Sequence, residues 1–229
     1  MSEFEQVRIA LAGSTGLVGR HVIANAAALG GIALLALARR DVPAARNTLA
    51  ETFVAPPARW GEGLAAFQPH VLICALGTTW RKAGASADAF RAVDHELVLR
   101  TAEAARSQGA TRCVLISSAG ADLRSRSFYL RVKGEVERDL RRIGFDRLDV
   151  LRPGLLRGER GAERRVGERT AIVLSPLTDL FLRGRLQQYR AIDADAVARA
   201  ALAFARRMSS GTFIHDNRGI NQAAGLSGD

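Results

Sequence analysis

An α/β fold built on a doubly wound parallel sheet follows from three observations on this chain of 229 residues. Short runs of Val, Ile, Leu and Ala alternate with amphipathic stretches, at the spacing that parallel strands and their crossover helices require. Hydrophobic residues make up 48% of the chain but aromatics only 6%, the aliphatic composition of strands buried on both faces. A glycine-rich turn, Gly13-Ser14-Thr15-Gly16-Leu17-Val18-Gly19, joins the first apolar run to the first amphipathic stretch. The length suits a single domain, residues 1–229, with about 155–229 as a small C-terminal substrate-side segment.

Val7 to Leu11 alternates as a strand does and runs directly into the glycine turn. The helical period from Leu17 to Leu29 is closed by Gly30-Gly31, and Ile32 to Ala38 predicts the second strand. A helix is expected from Asp41 to about Leu49, a weak third strand at Thr52-Phe53-Val54, and a loop at Pro56-Pro57. Val71 to Leu76 is the fourth strand, Ser86 to Ser107 a long helix and Arg112 to Ser117 the fifth strand. Ser127 to Ile143 reads as a helix, and Leu148 to Leu151 as a strand ending in Arg152-Pro153-Gly154. Beyond Leu155 come a charged loop to about Arg169, helices over Ala171 to Arg183 and Asp193 to Arg207, and a short strand at Thr212 to Ile214. Ligands of such a sheet gather at the carboxyl ends of its strands.

Composition narrows the function classes. The nearly apolar segment from Val22 to Leu37 is interrupted by Asn25 and Gly30-Gly31 and is short for a span, so no membrane association is expected. The acidic start, Met1-Ser2-Glu3-Phe4-Glu5, lacks the cationic region of a secretion signal and points to a cytoplasmic protein. Cys74 and Cys113 both lie in strand-like runs without neighbouring His, which predicts interior thiols suited to a reducing compartment and neither a redox pair nor a metal site. The net charge of +10 raises nucleic acid as a ligand. Acids are interleaved with the arginines and aromatics are not, so a solvated face is expected, with some attraction for a phosphorylated cofactor.

Three features carry chemistry. Glycines at 13, 16 and 19 allow a tight turn and close approach of a phosphate, and the helix that follows offers unpaired N–H groups and a favourable dipole. Ser14 and Thr15 add hydroxyl donors to such a dinucleotide loop. About twenty residues after the last glycine, a cofactor without a 2′-phosphate usually meets Asp or Glu. Arg39-Arg40 stands there instead, and guanidinium groups pair with a 2′-phosphate, which favours NADP(H) over NAD(H). The third feature is Tyr129 with Lys133. Of 33 basic residues only Lys82 and Lys133 are lysines, and only two tyrosines occur. On a helix the phenol and the ammonium share one face about a turn apart, where the cation favours the phenolate and draws a phenol pKa of about 10 toward neutrality. Lys82, in a Gly-containing loop after the fourth strand, is a further candidate contact to substrate or cofactor. His21, His70, His95 and His215 are scattered and do not form a hydrolase triad with Ser118.

These motifs, with Leu76-Gly77-Thr78-Thr79, Ser117-Ser118 and Arg152-Pro153-Gly154 in this order, resemble the short-chain dehydrogenase/reductase superfamily. From Leu76 to Gly134 the chain is most similar to the atypical branch of NAD(P)H-binding proteins that includes the Tat-interacting oxidoreductase. The resemblance implies a Rossmann-type sheet and a catalytic set of Ser118, Tyr129 and Lys133. Tyr129 would donate a proton to a carbonyl oxygen, Lys133 would hold the nicotinamide ribose, and Ser118, with Ser117 as the nearby alternative, would hydrogen-bond the substrate oxygen. Gly13 to Gly19, Arg39, Arg40, Leu76 to Thr79, Ser117, Pro153 and Gly154 would line the cofactor. Two departures stand out. The acidic residue usual after the third strand is absent from Val54-Ala55-Pro56-Pro57, and Asp94 follows Val93 where many relatives carry a relay Asn.

The resulting expectation is an NADPH-dependent oxidoreductase acting on a small carbonyl-like substrate. A non-catalytic NADP(H)-binding sensor that signals to a protein partner is the alternative. The two long helices starting near Ser86 and Ser127 offer a surface for pairing as a homodimer.

Overall fold

The computed structural model describes residues 6–46, 48–81, 83–158 and 189–226. β1 (Val7–Ala12), β2 (Ile32–Ala38) and β3 (Glu51–Val54) form where β-branched and aliphatic runs are bounded by Gly and polar turns. With α1 (Leu17–Ala28) between the first two, they build the first half of the sheet. α2 (Trp60–Phe67) leads to β4 (Val71–Cys74). The long helix that follows has three parts: α3 (Ala87–Arg91), a π-helical turn over Ala92–Glu96, and α4 (Leu97–Ser107). β5 (Arg112–Ile116), α5 (Phe128–Ile143) and β6 (Arg147–Leu151) complete the repeating pattern. The last described stretch adds a short pair, β7 (Leu156–Arg157) with β8 (Ile192–Asp193), then α6 (Ala194–Ala205), β9 (Gly211–His215) and α7 (Asn217–Ala223).

The seven-stranded sheet is parallel throughout, in the order β3-β2-β1-β4-β5-β6-β9. Strand order reverses between β1 and β4, which opens a crevice at their carboxyl ends. Alternation along the strands builds two cores. Ile9, Leu11, Leu34, Ala36 and Ile73 face α1 and α6, whereas Ala10, Leu35, Leu37, Leu72 and Leu115 face α2, α4 and α5. The α6 helix is mostly alanine and nearly all of it is buried, because small side chains let it lie close to α1 and the sheet. Both cysteines are free and fully buried, and burial pushes the Cys74 thiol up to about 11.

Several elements differ from expectation. The helix expected from Asp41 to about Leu49 is a single 3-10 turn, Pro43–Ala45. The Thr48 hydroxyl takes the Ala45 carbonyl and accepts from the Ala50 amide, which ends the turn. The α2 helix follows Pro56-Pro57 at once despite Gly61 and Gly63. Gly63 is needed there, since a Cβ would meet the Phe53 ring at 2.6 Å, and Trp60 anchors the start through Nε1–H to the Ala55 carbonyl. α7 and the β7–β8 pair were not expected. The expected helix over Ala171 to Arg183 lies outside the described residues, as does Lys82. No helix among the described residues is long and apolar enough to cross a membrane.

Candidate functional site

The glycine turn sits at the reversal point of the sheet. Gly13 has φ +95°, and a Cβ there would lie 2.4 Å from the Ala75 carbonyl oxygen just past β4. A Cβ on Gly19 would lie 2.2 Å from the Gly13 oxygen, so α1 can approach the turn only with glycine at this position. Gly16 caps α1 without a side-chain hydrogen bond, and the first turn of the helix holds no acid. Its amides therefore face outward as an anion cradle, beside exposed Thr15 and half-buried Leu17. Val18 is buried beneath them. Ser14 has a different task from the one expected. It is buried, and its hydroxyl donates to the Leu37 carbonyl at 2.9 Å, tying the turn to β2 rather than offering a donor to a ligand. Arg39 and Arg40 are both exposed, directly beyond that strand.

Tyr129 and Lys133 lie one turn apart at the start of α5, with Lys133 Nζ 5.9 Å from the phenol ring centre. Ser127 caps the helix by accepting from the Leu130 amide. Tyr129 is 39% exposed, whereas Lys133 is only 5% exposed. A buried ammonium requires a partner, and Asp94 provides it at 2.9 Å from a fully buried position in the π-helical turn. The second carboxylate oxygen accepts from the Thr78 amide at 2.6 Å. Burial lowers the Lys133 pKa, but Asp94 and Tyr129 raise it more, and the net shift is upward. Gly77, next to Thr78, leaves space over this pair: a Cβ would lie 3.5 Å from Asp94 and 3.8 Å from Lys133 Nζ. Asp94 stands at the centre of the π turn and is its one buried residue.

A second buried carboxylate organises the ends of β5 and β6. Glu137, one further turn along α5, accepts from the Ser117 hydroxyl and from Arg152 at 2.6 and 3.0 Å. The Ser117 hydroxyl is thereby committed, and the adjacent Ser118 hydroxyl touches only the Ala119 carbonyl at 3.3 Å. Amides of Ser117 and Ala119 bond to Leu151 and Pro153, extending the strand pairing to the loop that carries Gly154. Asn217 then holds this loop, accepting from the Gly154 amide at 2.9 Å and donating to the Arg190 carbonyl at 2.8 Å. Gly134 lets the loop after β5 press on α5, since a Cβ would meet Leu123 N at 2.7 Å, and Tyr189 closes over Gly120 in the same loop.

The arrangement gathers an anion cradle, exposed cations at the end of β2, a buried ammonium under a phenol, and a serine hydroxyl along one edge of the sheet. Chemically it can hold a phosphorylated ligand, orient an oxygen and move a proton. In the sequence Asp94 is visible as a departure only and Arg152 only as the first residue of Arg152-Pro153-Gly154, while Glu137 and Asn217 carry no local signal as site residues. A shallow hollow of about 500 Å³ lies between the far ends of α4 and α5, lined by Leu99, Glu103, Arg106, Asp139, Arg142 and Ile143, and has no part in this site.

Comparison with known proteins places the chain. A family model described as HIM1 matches residues 64–182. Protein fmp52, mitochondrial, of Aspergillus fumigatus is 37% identical over 201 residues, covering 85% of each chain. FMP52 of Candida albicans is 35% identical over 208 residues, covering 87% of this chain and 88% of the relative. Among solved structures, a putative NAD-dependent epimerase/dehydratase from Bacillus halodurans aligns with a TM-score of 0.66 at 19% identity, over 90% of this chain and 92% of its own. UDP-glucose 4-epimerase from Thermotoga maritima gives 0.71 at 14% identity, over 97% and 84%. These structural likenesses show a Rossmann-type fold. The expectation of a cytoplasmic protein is overturned, because the FMP52 relatives are named mitochondrial. The relatives found are HIM1 and FMP52 proteins rather than the Tat-interacting oxidoreductase, and at this identity and coverage the chain belongs to the FMP52 family.

Proposed function

We propose that this protein is an NADPH-dependent oxidoreductase that reduces a small carbonyl-like substrate. The observation that carries the reading is the buried Lys133, ion-paired to Asp94 directly beneath an exposed tyrosine. An ammonium in the interior lowers stability unless a partner or a task offsets it, and this one stands beside a phenol at the edge where the anion cradle opens.

The cradle suits a dinucleotide, since neither Gly13 nor Gly19 can accept a Cβ and the α1 amides carry no side-chain cap. Gly13 to Gly19 would hold the pyrophosphate, Arg39 and Arg40 the 2′-phosphate, and Leu76 to Thr79 with Pro153 and Gly154 the nicotinamide side. When bound, the cofactor supplies a hydride. Tyr129 gives its proton to the substrate oxygen, the ammonium of Lys133 stabilises the phenolate left behind, and the Ser118 hydroxyl orients the same oxygen. Ser117 has its hydroxyl bound to Glu137 and serves as the support of Ser118.

The test is oxidation of NADPH across a panel of aldehydes, ketones and quinones by wild type and Tyr129→Phe. Loss of acid catalysis should lower turnover by about 100-fold or more while nucleotide affinity is retained. Unchanged turnover on an identified substrate refutes the role of Tyr129. Nucleotide binding with no turnover above the variant's background replaces the enzyme by a redox sensor.

A further inference from the structure

Three aromatic rings gather beside that of Tyr129. Phe90 of α3 is 1% exposed and is covered by Trp80, Phe128 and Tyr129, with ring centres 6.4, 5.8 and 5.8 Å away, while Trp80 packs edge-on against Phe128 at 5.6 Å. Filling the core needs only Phe90. Trp80 remains 48% exposed and Tyr129 39%, an outward aromatic wall on a molecule whose cores are mainly aliphatic. The wall stands on built elements. The loop bearing Trp80 is closed by the Ala85 amide on the Trp80 carbonyl, with Ala85 at φ +56°, and Phe128 is the first residue of α5 behind its Ser127 cap. These segments follow β4 and β5, so the rings occupy the edge of the sheet where the anion cradle and Ser118 lie.

Cations predominate around the wall, although Glu135 pairs with Arg91 and Asp88 and Asp122 lie nearby. Arg91 and Arg131 lie over Phe128 at 5.5 and 5.8 Å, engaged with Glu135 and the Ser125 carbonyl. Arg81 beside Trp80, and Arg124 and Arg126 ahead of Phe128, are exposed and have no acidic side-chain partner among the described residues. Indole and phenol faces favour planar rings, and free guanidinium groups favour carboxylates.

Resting on the oxidoreductase reading, we propose that the substrate is a planar aromatic carbonyl compound bearing an anionic group, its ring stacked on Trp80 and its carbonyl oxygen directed to Tyr129. The carbonyl carbon gains a hydride from the reduced nicotinamide, the C=O π bond opens, and the oxygen takes the phenol proton, which solvent restores. The aldehyde becomes an alcohol as the reduced nicotinamide is oxidised.

Two arms test this. Steady-state kinetics with 4-carboxybenzaldehyde and hexanal should give a kcat/KM at least tenfold higher for the aromatic acid, and Trp80→Ala should lower that ratio by about tenfold, with Trp80→Phe restoring most of it. The non-reducible 2-naphthoate should quench wild-type tryptophan fluorescence, because Trp80 is exposed and Trp60 is 3% exposed, and the quench should vanish in Trp80→Phe. Hexanal turned over as efficiently as 4-carboxybenzaldehyde, or quenching that survives the loss of Trp80, overturns the aromatic assignment while leaving the reductase standing. Quenching that depends on Trp80, with neither aldehyde reduced, overturns the reductase and leaves an aromatic-acid binding site.

Discussion

Removing the charge of Asp94 should reverse the way this protein responds to alkali. Asp94 and Lys133 are both almost completely buried, 2.9 Å apart, so Asp94→Asn leaves an ammonium in the interior with no counter-charge. Breaking a buried pair from one side costs about 3–5 kcal/mol, whereas replacing both members by neutral groups is far milder. The double variant Asp94→Asn/Lys133→Met should therefore recover most of the stability that Asp94→Asn loses, a coupling of about 2–4 kcal/mol in a double-mutant cycle. The pH dependence gives an independent sign. In wild type the folded pKa of Lys133 is raised above the ordinary 10.5, so the pair's contribution is complete below that value and declines as pH rises through the raised pKa. Without Asp94, burial, the largest single influence on Lys133, is opposed only by Tyr129 and Cys74 and should lower its pKa, so that the unfolded chain binds more protons and stability rises with pH as 10.5 is approached. Urea unfolding of the nucleotide-free variants between pH 8 and about 11.5, each measured against the double variant, cancels the common titration of tyrosines and cysteines. Single-variant costs that add within about 0.5 kcal/mol, or parallel pH slopes, would refute the pairing.

The remaining predictions use other parts of the site. Arg39→Asp should remove or reverse a preference of at least about tenfold for NADPH over NADH, since each charge-assisted contact to a 2′-phosphate contributes about 1.5–3 kcal/mol, and calorimetric titration that finds equal wild-type affinities refutes the role of Arg39. Gly134→Ala should destabilise by about 1–3 kcal/mol, the reverse of the gain of about 1 kcal/mol usual inside a helix, because the new Cβ meets the loop backbone at 2.7 Å; a rise in Tm would show that the loop yields freely. Glu137→Gln should cost about 1–3 kcal/mol, at the lower end because Arg152 can reach water, and a chemical-denaturation midpoint equal to wild type would remove Glu137 from its supporting role.

What the sequence made legible is local, and what it hid is assembled from distant segments. The second strand was readable to its ends because Gly30-Gly31 and Arg39-Arg40 bound an unbroken aliphatic run. Tyr129 and Lys133 stood out because their partnership spans one helical turn. By contrast, α2 was hidden behind Pro56-Pro57 and two glycines, one of which exists to admit the Phe53 ring. The helix expected after Asp41 failed because the Thr48 side chain competes with the backbone for its own hydrogen bonds. Asp94 could be seen to differ from a familiar pattern, but its partner is 39 residues away on another element (133 minus 94), and only the folded topology brings the two together. The expected hydroxyl donor at Ser14 failed for the same reason, since the Leu37 carbonyl that occupies it belongs to the neighbouring strand.

The α5 helix links these observations into one constraint on Tyr129. Residues 129, 133 and 137 follow at intervals of four and fall on one slowly drifting stripe, flanked by the buried apolar stripe of Val132, Val136 and Leu140. Apolar packing alone would tolerate a small rotation of the helix, because one methyl group can replace another against the sheet. The polar stripe does not allow it. Lys133 meets Asp94 ahead of α4, and Glu137 meets Ser117 beyond β5 and Arg152 beyond β6, so three separate segments fix the register. A slip of one residue turns the helix by about 100° and strands two buried charges, each costing several kcal/mol. The phenol at the exposed end of the stripe is held against this rotation by the same charges that surround it. A site that must hold an oxygen to within about half an ångström gains more from that stiffness than from additional apolar area.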